Sequence, residues 1–265
     1  GGFVGVAIGA AMTGLRPVAE IMFMDFITLA ADQLINHAAK FHYQFGEQCR
    51  VPMVVRCPAG AGRGYGPTHS QSLERFFVAT PGLRVVAPAT AADAKGMLKS
   101  AIRCDDPIIF IESKILYGRQ GEVPEGDHVT PLDQARVARA GADVSLIAYS
   151  RMVEEALKAA EALAELGVEA EVLDLRSLAP LDTAAIEATV EKTGRAVVVE
   201  EGTLTGGVGA EVVARIMETS FDSLQAPPRR VAAADAPVPS ARVLEQAVIP
   251  DYRTIAEAAA EVVAY

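Results

Sequence analysis

The chain has 265 residues, of which 51% are hydrophobic and 22% charged, and its formal net charge is −10. This length is comfortable for two domains, and the apolar content is ample for two cores. The acidic balance argues against nucleic acid or an anionic membrane as a partner. No apolar run reaches the roughly 18 residues of a membrane span. The three cysteines have no CxxC or metal-ligand spacing, which is typical of free thiols in a reducing compartment.

Apolar runs alternate with helical patterns through the first half of the chain. A helix of small residues opens it, and four strands are predicted at PVAEIMFM, VPMVVRC, LRVVAPA and PIIFIES. Helices are predicted between these strands at residues 28–46, 70–80 and 91–103. Because the strands are apolar along their whole length, we expect a parallel sheet that is covered on both faces.

A polar stretch then separates two regions of similar pattern. Residues 119–136 carry prolines and glycines without periodicity, which indicates a linker. Strands are predicted again at DVSLIAYS, EAEVLDL, RAVVVEE and RRVAAAD, with helices between them. The predicted fold class is therefore α/β, with two parallel-sheet domains at residues 1–118 and 137–265.

The stretch MVVRCPAGAGRGYGPTHSQSLERFF has glycine at every second position from Gly60 to Gly66, followed by His69. Its spacing fits neither the dinucleotide motif GxGxxG nor the P-loop, so a flexible turn explains the glycines as well as a ligand cradle does. His69 follows the carboxyl end of a predicted strand, where open parallel sheets bind ligands, and imidazole exchanges protons near neutrality. The alternative is a surface histidine with no function.

Phe26 also lies at the predicted carboxyl end of a strand. Most aromatic residues there belong to the core, and a minority stack on a flat cofactor ring. Met22 and Met24 alternate along the same predicted strand, and soft side chains beside an aromatic suit a heterocycle. The residues by themselves thus indicate a two-domain α/β protein with a site near His69 and Phe26.

Longer segments form an ordered set of motifs. They include GFVGVAIGAAMTGLRPVAEIMFMDF, DQLINHAAK, HSQSLERFF, DDPIIFIESKILYG, LDLRSLAPLD, EKTGRAVVVEE and GGVGAEVVARI. Together they resemble the β subunits of thiamine-diphosphate-dependent 2-oxo acid dehydrogenases, which include pyruvate, branched-chain and acetoin-cleaving enzymes. The resemblance covers essentially the whole chain. It implies a transketolase-type pyrimidine-binding domain followed by a transketolase C-terminal domain.

The resemblance also implies the cofactor and its contacts. Thiamine diphosphate lies between subunits in this family, with the diphosphate and its magnesium held by the α subunit. Phe26 matches the aromatic that stacks on the aminopyrimidine, and Met22 is expected to face that ring from the same strand. His69 matches the histidine that assists proton movement and acyl transfer to a lipoyl group.

A structural potassium ion is implied as well, held mostly by backbone oxygens. The matching positions are Met53, Ala101, Ile102, Cys104 and Asp106. Cys104 replaces an aspartate that is common in the family, which matters little where the ligand is a carbonyl oxygen.

The function implied is oxidative decarboxylation of pyruvate or a branched-chain 2-oxo acid. Partners would be the α subunit in an α2β2 heterotetramer, a second β subunit and the dihydrolipoyl acyltransferase core. The compartment would be the bacterial cytoplasm, or the mitochondrial matrix in a eukaryote. Two alternatives stay open. One is an acetoin dehydrogenase β subunit; the other is a non-catalytic assembly subunit, because the family's activating glutamate would fall immediately before Gly1.

Overall fold

The computed structural model describes residues 1–265 and contains two five-stranded sheets. The strands are β1 (Val18–Glu20), β2 (Val54–Ala59), β3 (Arg84–Val86), β4 (Ile108–Ser113), β5 (Arg136–Arg139), β6 (Val144–Ala148), β7 (Ala170–Asp174), β8 (Ser177–Ala179), β9 (Ala196–Thr203) and β10 (Arg229–Ala233). The α-helices are α1 (Gly2–Met12), α2 (Phe41–Gln44), α3 (Arg75–Val78), α4 (Ala91–Arg103), α5 (Met152–Ala164), α6 (Thr183–Thr193), α7 (Val208–Thr219), α8 (Arg242–Val248) and α9 (Tyr252–Val263). None of these helices combines the length and the apolar character that crossing a bilayer requires.

The first sheet has the strand order β1-β2-β4-β3-β8. Strands β1, β2, β4 and β3 are parallel, and β2 pairs with β4 from Val54 opposite Ile108 to Ala59 opposite Ser113. Strand β8 comes from the second half of the chain and pairs with β3 in the antiparallel direction. The two halves therefore share a hydrogen-bonded sheet.

The second sheet has the strand order β10-β9-β6-β7-β5. Its strands are parallel except β5, which runs antiparallel to β7 at one edge. The prediction of two α/β domains is confirmed, but each sheet is mixed rather than wholly parallel. The sequence did not reveal β5 and β8, because a short edge strand needs no continuous apolar run.

The region after β1 differs most from the prediction. The strand ends at Glu20, and the chain bends at Met22 and continues as a 3₁₀-helix over Met24–Ala30. A π-helical segment, Gln33–Ala38, and the short helix α2 replace the single helix expected over residues 28–46. The apolar alternation through residue 24 suggested a longer strand, but it reflects burial of Met24 in the core rather than strand pairing.

One cluster of buried apolar side chains extends across both halves. It includes Val85 of β3, Ile147 of β6 and Leu178 of β8. A second cluster lies between β6, β9 and the helices α5 and α9. The shared cluster fixes one half against the other, so that loops following β2 and β4 meet loops of the second half.

Candidate active site

Four aromatic rings meet at the carboxyl end of the first sheet. The ring centroids of Phe26 and His69 are 5.2 Å apart with planes at 89°, and those of Phe23 and His69 are 4.9 Å apart at 78°. Phe23 also contacts Tyr65 edge-on, with centroids 6.0 Å apart. Edge-to-face packing at these distances is favourable. This packing brings together His69 and Phe26, which the sequence had indicated. It also includes Phe23 and Tyr65, which the sequence had not indicated.

Two elements deliver these rings. Phe26 lies on the 3₁₀-helix after β1, and His69 lies on the loop after β2. The carboxylate of Asp25 joins the two elements, since its Oδ1 accepts hydrogen bonds from the Gln71 backbone N–H at 3.2 Å and from Gln71 Nε2 at 2.8 Å. Asp25 is buried, so these bonds form in a low-dielectric environment, where they hold the loop firmly.

Lys114 lies directly beneath the loop, just after β4. It is only 5% exposed, and its Nζ donates a hydrogen bond to the backbone carbonyl of His69. The same ammonium lies 5.1 Å from the Phe23 ring centroid and 5.7 Å from that of Tyr65. Burial lowers the pKa of Lys114, while nearby carboxylates, first that of Asp25, oppose this shift. The cation thus ties the histidine's backbone to the aromatic cluster.

The glycine loop preceding His69 has its amides occupied by carboxylates of the second half. The Ala61 N–H donates to Glu201 at 2.6 Å, the Gly62 N–H to Glu245 at 2.8 Å and the Gly64 N–H to Glu245 at 3.0 Å. The glycines at 60, 62, 64 and 66 all have positive φ, between +70° and +96°. A Cβ on Gly60 would lie 2.8 Å from Glu201, and one on Gly62 would lie 2.8 Å from Ile115. The glycines therefore permit close approach of the chain's own side chains, and these amides are not a phosphate cradle.

A buried group of acids lies next to the loop. The Tyr149 hydroxyl donates to Glu74 at 2.6 Å and lies 3.5 Å from Glu200, whose other oxygen accepts from the Gly209 N–H at 3.0 Å. Burial and then the neighbouring Glu74 raise the pKa of Glu200 to about 7, and burial also raises the pKa of Glu74. Burial and the proximity of the two carboxyl groups outweigh the opposing effect of the Tyr149 hydrogen bond, so the pair holds a proton near neutral pH.

The residues present suit a flat apolar ring better than a charged group. Phe26 is 38% exposed and Met22 is 69% exposed, so both offer apolar surface beside the His69 imidazole. Three of the loop amides, those of Ala61, Gly62 and Gly64, already have carboxylate acceptors, as described above. The site therefore fits an aminopyrimidine ring, whereas the carboxylates of Glu201 and Glu245 against this loop would repel a diphosphate.

Comparison with known proteins identifies the family. Residues 1–120 match the model of the transketolase pyrimidine binding domain, and residues 133–255 match that of the transketolase C-terminal domain. The β subunit of acetoin:2,6-dichlorophenolindophenol oxidoreductase from Cupriavidus necator is 46% identical over 257 residues, which cover 97% of this chain and 76% of that protein. The chain belongs to the transketolase-like β subunits of thiamine-diphosphate-dependent dehydrogenases.

Two further comparisons support this family assignment. The mitochondrial pyruvate dehydrogenase E1 component subunit beta-1 of Arabidopsis thaliana is 46% identical over 261 residues, covering 97% of this chain and 72% of that protein. A solved structure titled "Split gene transketolase, inactive beta4 tetramer" superposes with a TM-score of 0.81 at 24% identity, covering 99% of this chain and 81% of that one. At that identity the structure supports the fold alone. Membership of the family implies thiamine diphosphate as the cofactor.

Against this β-subunit fold, the candidate residues fall into two groups. His69 and Phe26 are in contact, whereas Met22 lies in the bend after β1 rather than on the strand, where we expected it. Its side chain is exposed because the chain leaves the sheet at Glu20 and turns into the 3₁₀-helix.

The five potassium positions lie together around the end of α4 and the start of β2 and β4. Their backbone oxygens already have donors in part: Arg16 Nη1 donates to the carbonyls of Ile102 at 3.2 Å and Cys104 at 2.7 Å. The Met53 carbonyl accepts from the Ile108 N–H at 2.9 Å. A carbonyl oxygen has two lone pairs and can therefore accept from Arg16 and bind a cation at the same time. A potassium ion at this site would have to share these oxygens with the Arg16 guanidinium.

Several site residues escaped the sequence analysis. Phe23 lies three residues before Phe26, and Lys114 lies at the end of a predicted strand, so position relative to the sheet was a usable signal for both. Glu201 ends the predicted strand RAVVVEE, so the same signal applied to it, but it did not identify the partner; Glu245 gave no such signal. Their contacts span more than a hundred residues, and no local pattern encodes them.

Proposed function

We propose that this chain is the β subunit of the decarboxylating component of a 2-oxo acid dehydrogenase complex. The contact between His69 and Phe26 beside exposed apolar surface is the observation that carries this proposal. The relatives named pyruvate dehydrogenase E1 component subunit beta support pyruvate as the substrate, and a branched-chain 2-oxo acid is the close variant. The reaction ends with acyl transfer to a lipoyl group.

Thiamine diphosphate supplies the electron sink for decarboxylation when it is bound. In our proposal Phe26 stacks on the aminopyrimidine and fixes its plane, while Met22 covers an edge of the same ring. His69 accepts and returns a proton at its ring nitrogen next to the reacting centre; its Nδ1 lies 3.0 Å from Thr68 Oγ1, which restricts the ring's orientation. The carboxylates of Glu201 and Glu245 against the loop support binding of the diphosphate and magnesium by a different subunit, because like charges repel.

The proposed assembly is an α2β2 heterotetramer that contains a second β subunit and docks on a dihydrolipoyl acyltransferase core. Exposed apolar side chains support a partner on the face formed by α1 and the site, namely Phe3, Val6, Leu15, Met22 and Leu29. Residues 1–118 would serve as the pyrimidine-binding domain, 119–136 as the linker and 137–265 as the C-terminal domain. The proposed compartment is the bacterial cytoplasm, or the mitochondrial matrix in a eukaryote.

A second candidate substrate is acetoin. The Cupriavidus necator subunit named for acetoin is as similar to this chain, at 46% identity, as the plant pyruvate dehydrogenase subunit. Assays of the reconstituted full-length α and β subunits on pyruvate, 2-oxoisovalerate and acetoin distinguish these substrates. Turnover of none of them would favour a non-catalytic assembly subunit.

The role of His69 is tested by His69→Ala in the full assembly. We expect transfer of the acyl group to a lipoyl domain to fall on the order of 10²–10⁴-fold, because a positioned general acid–base is lost. Decarboxylation measured with an artificial electron acceptor should fall much less.

The matched control is His128→Ala, a histidine on the loop before β5 and outside the aromatic cluster. It should leave both activities unchanged. An equal loss of both activities in His69→Ala would instead indicate that the histidine only positions the cofactor.

A further inference from the structure

The glycine loop carries His69, and its hydrogen-bond partners lie on the second half of the chain. Glu245, in α8, is only 2% exposed and places both carboxylate oxygens against the loop. Its Oε1 accepts from Gly62 at 2.8 Å and its Oε2 accepts from Gly64 at 3.0 Å. Hydrogen bonds from backbone N–H groups to a buried carboxylate are strong and directional.

The surrounding segment closes over the same loop. The Ser240 carbonyl lies 3.1 Å from where a Cβ on Gly64 would be, and the Ser240 hydroxyl fills the corresponding space at Gly66. At Gly64 and Gly66, therefore, no side chain larger than the glycine hydrogen fits without displacing Ser240. The loop's shape between residues 62 and 66 is therefore set by the segment from Ser240 to Glu245.

The far end of the loop is already fixed to the first half. Lys114 holds the His69 carbonyl, and Asp25 holds Gln71. The loop is thus anchored after His69 by its own domain and before His69 by α8. The histidine lies between two anchors that belong to different halves of the chain.

We propose that Glu245 is a positioning residue for His69, and that through it the C-terminal half controls the acyl-transfer step. This inference rests on the proposed function of His69. No hydrogen bond joins Glu245 to the aromatic cluster, so its effect passes through the backbone of residues 62–69 and, as a nearby negative charge, through Lys114. Loss of the contact lets the first part of the loop move, and small displacements of a catalytic group have large effects on rate.

The test uses Glu245→Gln in the full-length α–β assembly. Glutamine keeps the shape but presents an NH₂ group to one of the two N–H donors. We expect acyl transfer to a lipoyl domain to fall roughly 10- to 100-fold, while decarboxylation with an artificial acceptor changes much less. Glu245→Asp keeps the charge but is one methylene too short to bridge both amides. It should therefore also lower the ratio of acyl transfer to decarboxylation.

A second measurement does not depend on activity. Hydrogen exchange of the backbone amides in residues 60–69 should be about tenfold faster in Glu245→Gln, as loss of a hydrogen bond to a charged acceptor predicts. The matched control is Glu171→Gln, a carboxylate that is equally buried and bonds Thr189 and Lys192 far from the loop. It should change neither the activity ratio nor the exchange of the loop.

The outcomes separate the two proposals. Wild-type rates and wild-type exchange in Glu245→Gln would overturn the positioning role, and so would an equal change in the Glu171→Gln control. An inactive wild-type assembly would overturn the proposed function instead, while faster loop exchange in Glu245→Gln would still support the anchor.

Discussion

The connections after β1 and β6, the first parallel strand of each sheet, are built in opposite ways. After β1 the chain forms a 3₁₀-helix, a π-helical segment and the four-residue helix α2. After β6 it forms the regular helix α5, whose buried face includes Ala156, Ala159, Ala160 and Leu163. The first connection carries Phe26 and Asp25, whereas the second carries Tyr149 of the buried acid group and no ring of the aromatic cluster.

This difference shows that the connection after β1 gives up regular α-helical hydrogen bonding, and that its irregular backbone places the side chains of the site. In the 3₁₀-helix, Met24 and Ile27 are buried while Phe26 remains partly exposed and Asp25 is directed to Gln71. The tighter 3₁₀ geometry separates neighbouring side chains differently from an α-helix. The second half keeps regular helices, and it contributes to the site the carboxylates and Ser240 that hold the loop from outside, together with Tyr149 of the buried acid group.

The largest effect is expected at Phe26, where we propose that the irregular connection contacts the cofactor. Phe26→Ala in the first half should weaken thiamine diphosphate binding by about 3 kcal/mol, on the order of a hundredfold in Kd, because stacking and apolar burial are both lost. Isothermal titration of the full assembly with the cofactor and magnesium measures this directly.

The matched control is Phe41→Ala, an aromatic on the same connection that packs against the core and against His37. It should lower the melting temperature and leave cofactor affinity nearly unchanged. Equal affinities for the wild type and Phe26→Ala would show that the irregular connection serves packing rather than binding.

The next largest effect is expected at Glu200, a buried acid that the second half of the chain places next to the site. Burial raises the pKa of Glu200 to about 7, so the folded chain keeps a proton that the unfolded chain has already released. Stability from this group is therefore fully present at low pH and declines as pH rises through this window, by about 2 kcal/mol between pH 5 and pH 7.

Glu200→Gln should flatten that decline, because glutamine has no proton to lose. Denaturant unfolding of the assembly at several pH values measures the slope, with the exposed Glu257→Gln of α9 as the control. An unchanged slope in Glu200→Gln would mean that the pair with Glu74 does not share a proton in the native state.

The smallest effect is expected at a part of the first half that is built like the second. The regular helix α4 ends beside the proposed potassium positions, where Arg16 already donates to two carbonyls. Replacing choline chloride with potassium chloride at equal ionic strength should stabilise the assembly by about 1 kcal/mol, or a few degrees in Tm. Identical melting curves would indicate that Arg16 serves these oxygens without an ion.

The sequence predicted the architecture because buried parallel strands have a strong local signature. Val54, Val55 and Cys57, for example, lie in a short, mostly apolar run bounded by prolines, which favours an interior strand. His69 was located by its place after that strand. The bend at Met22 was missed because its apolar neighbours suit a strand and a buried 3₁₀-helix equally well.

The anchors of the loop could not be predicted from local pattern. Glu245 lies 183 residues from Gly62, and nothing in the segment ARVLEQAVIP distinguishes a buried carboxylate from a solvated one. Such contacts arise from tertiary packing, which fixes the two halves against each other. The position of the His69 ring was thus predictable from sequence, whereas most of the residues that hold its loop in place were not.

Strand β8 gives the molecule a property that neither half has by itself. It crosses from the C-terminal half to complete the ladder of β3, so a cut in the linker would leave β3 with a bare row of amide and carbonyl groups. Such unpaired sheet edges can pair with other chains and lead to aggregation. Dissection into separate halves is therefore a poor route to the chemistry, and enzymology requires the undivided polypeptide.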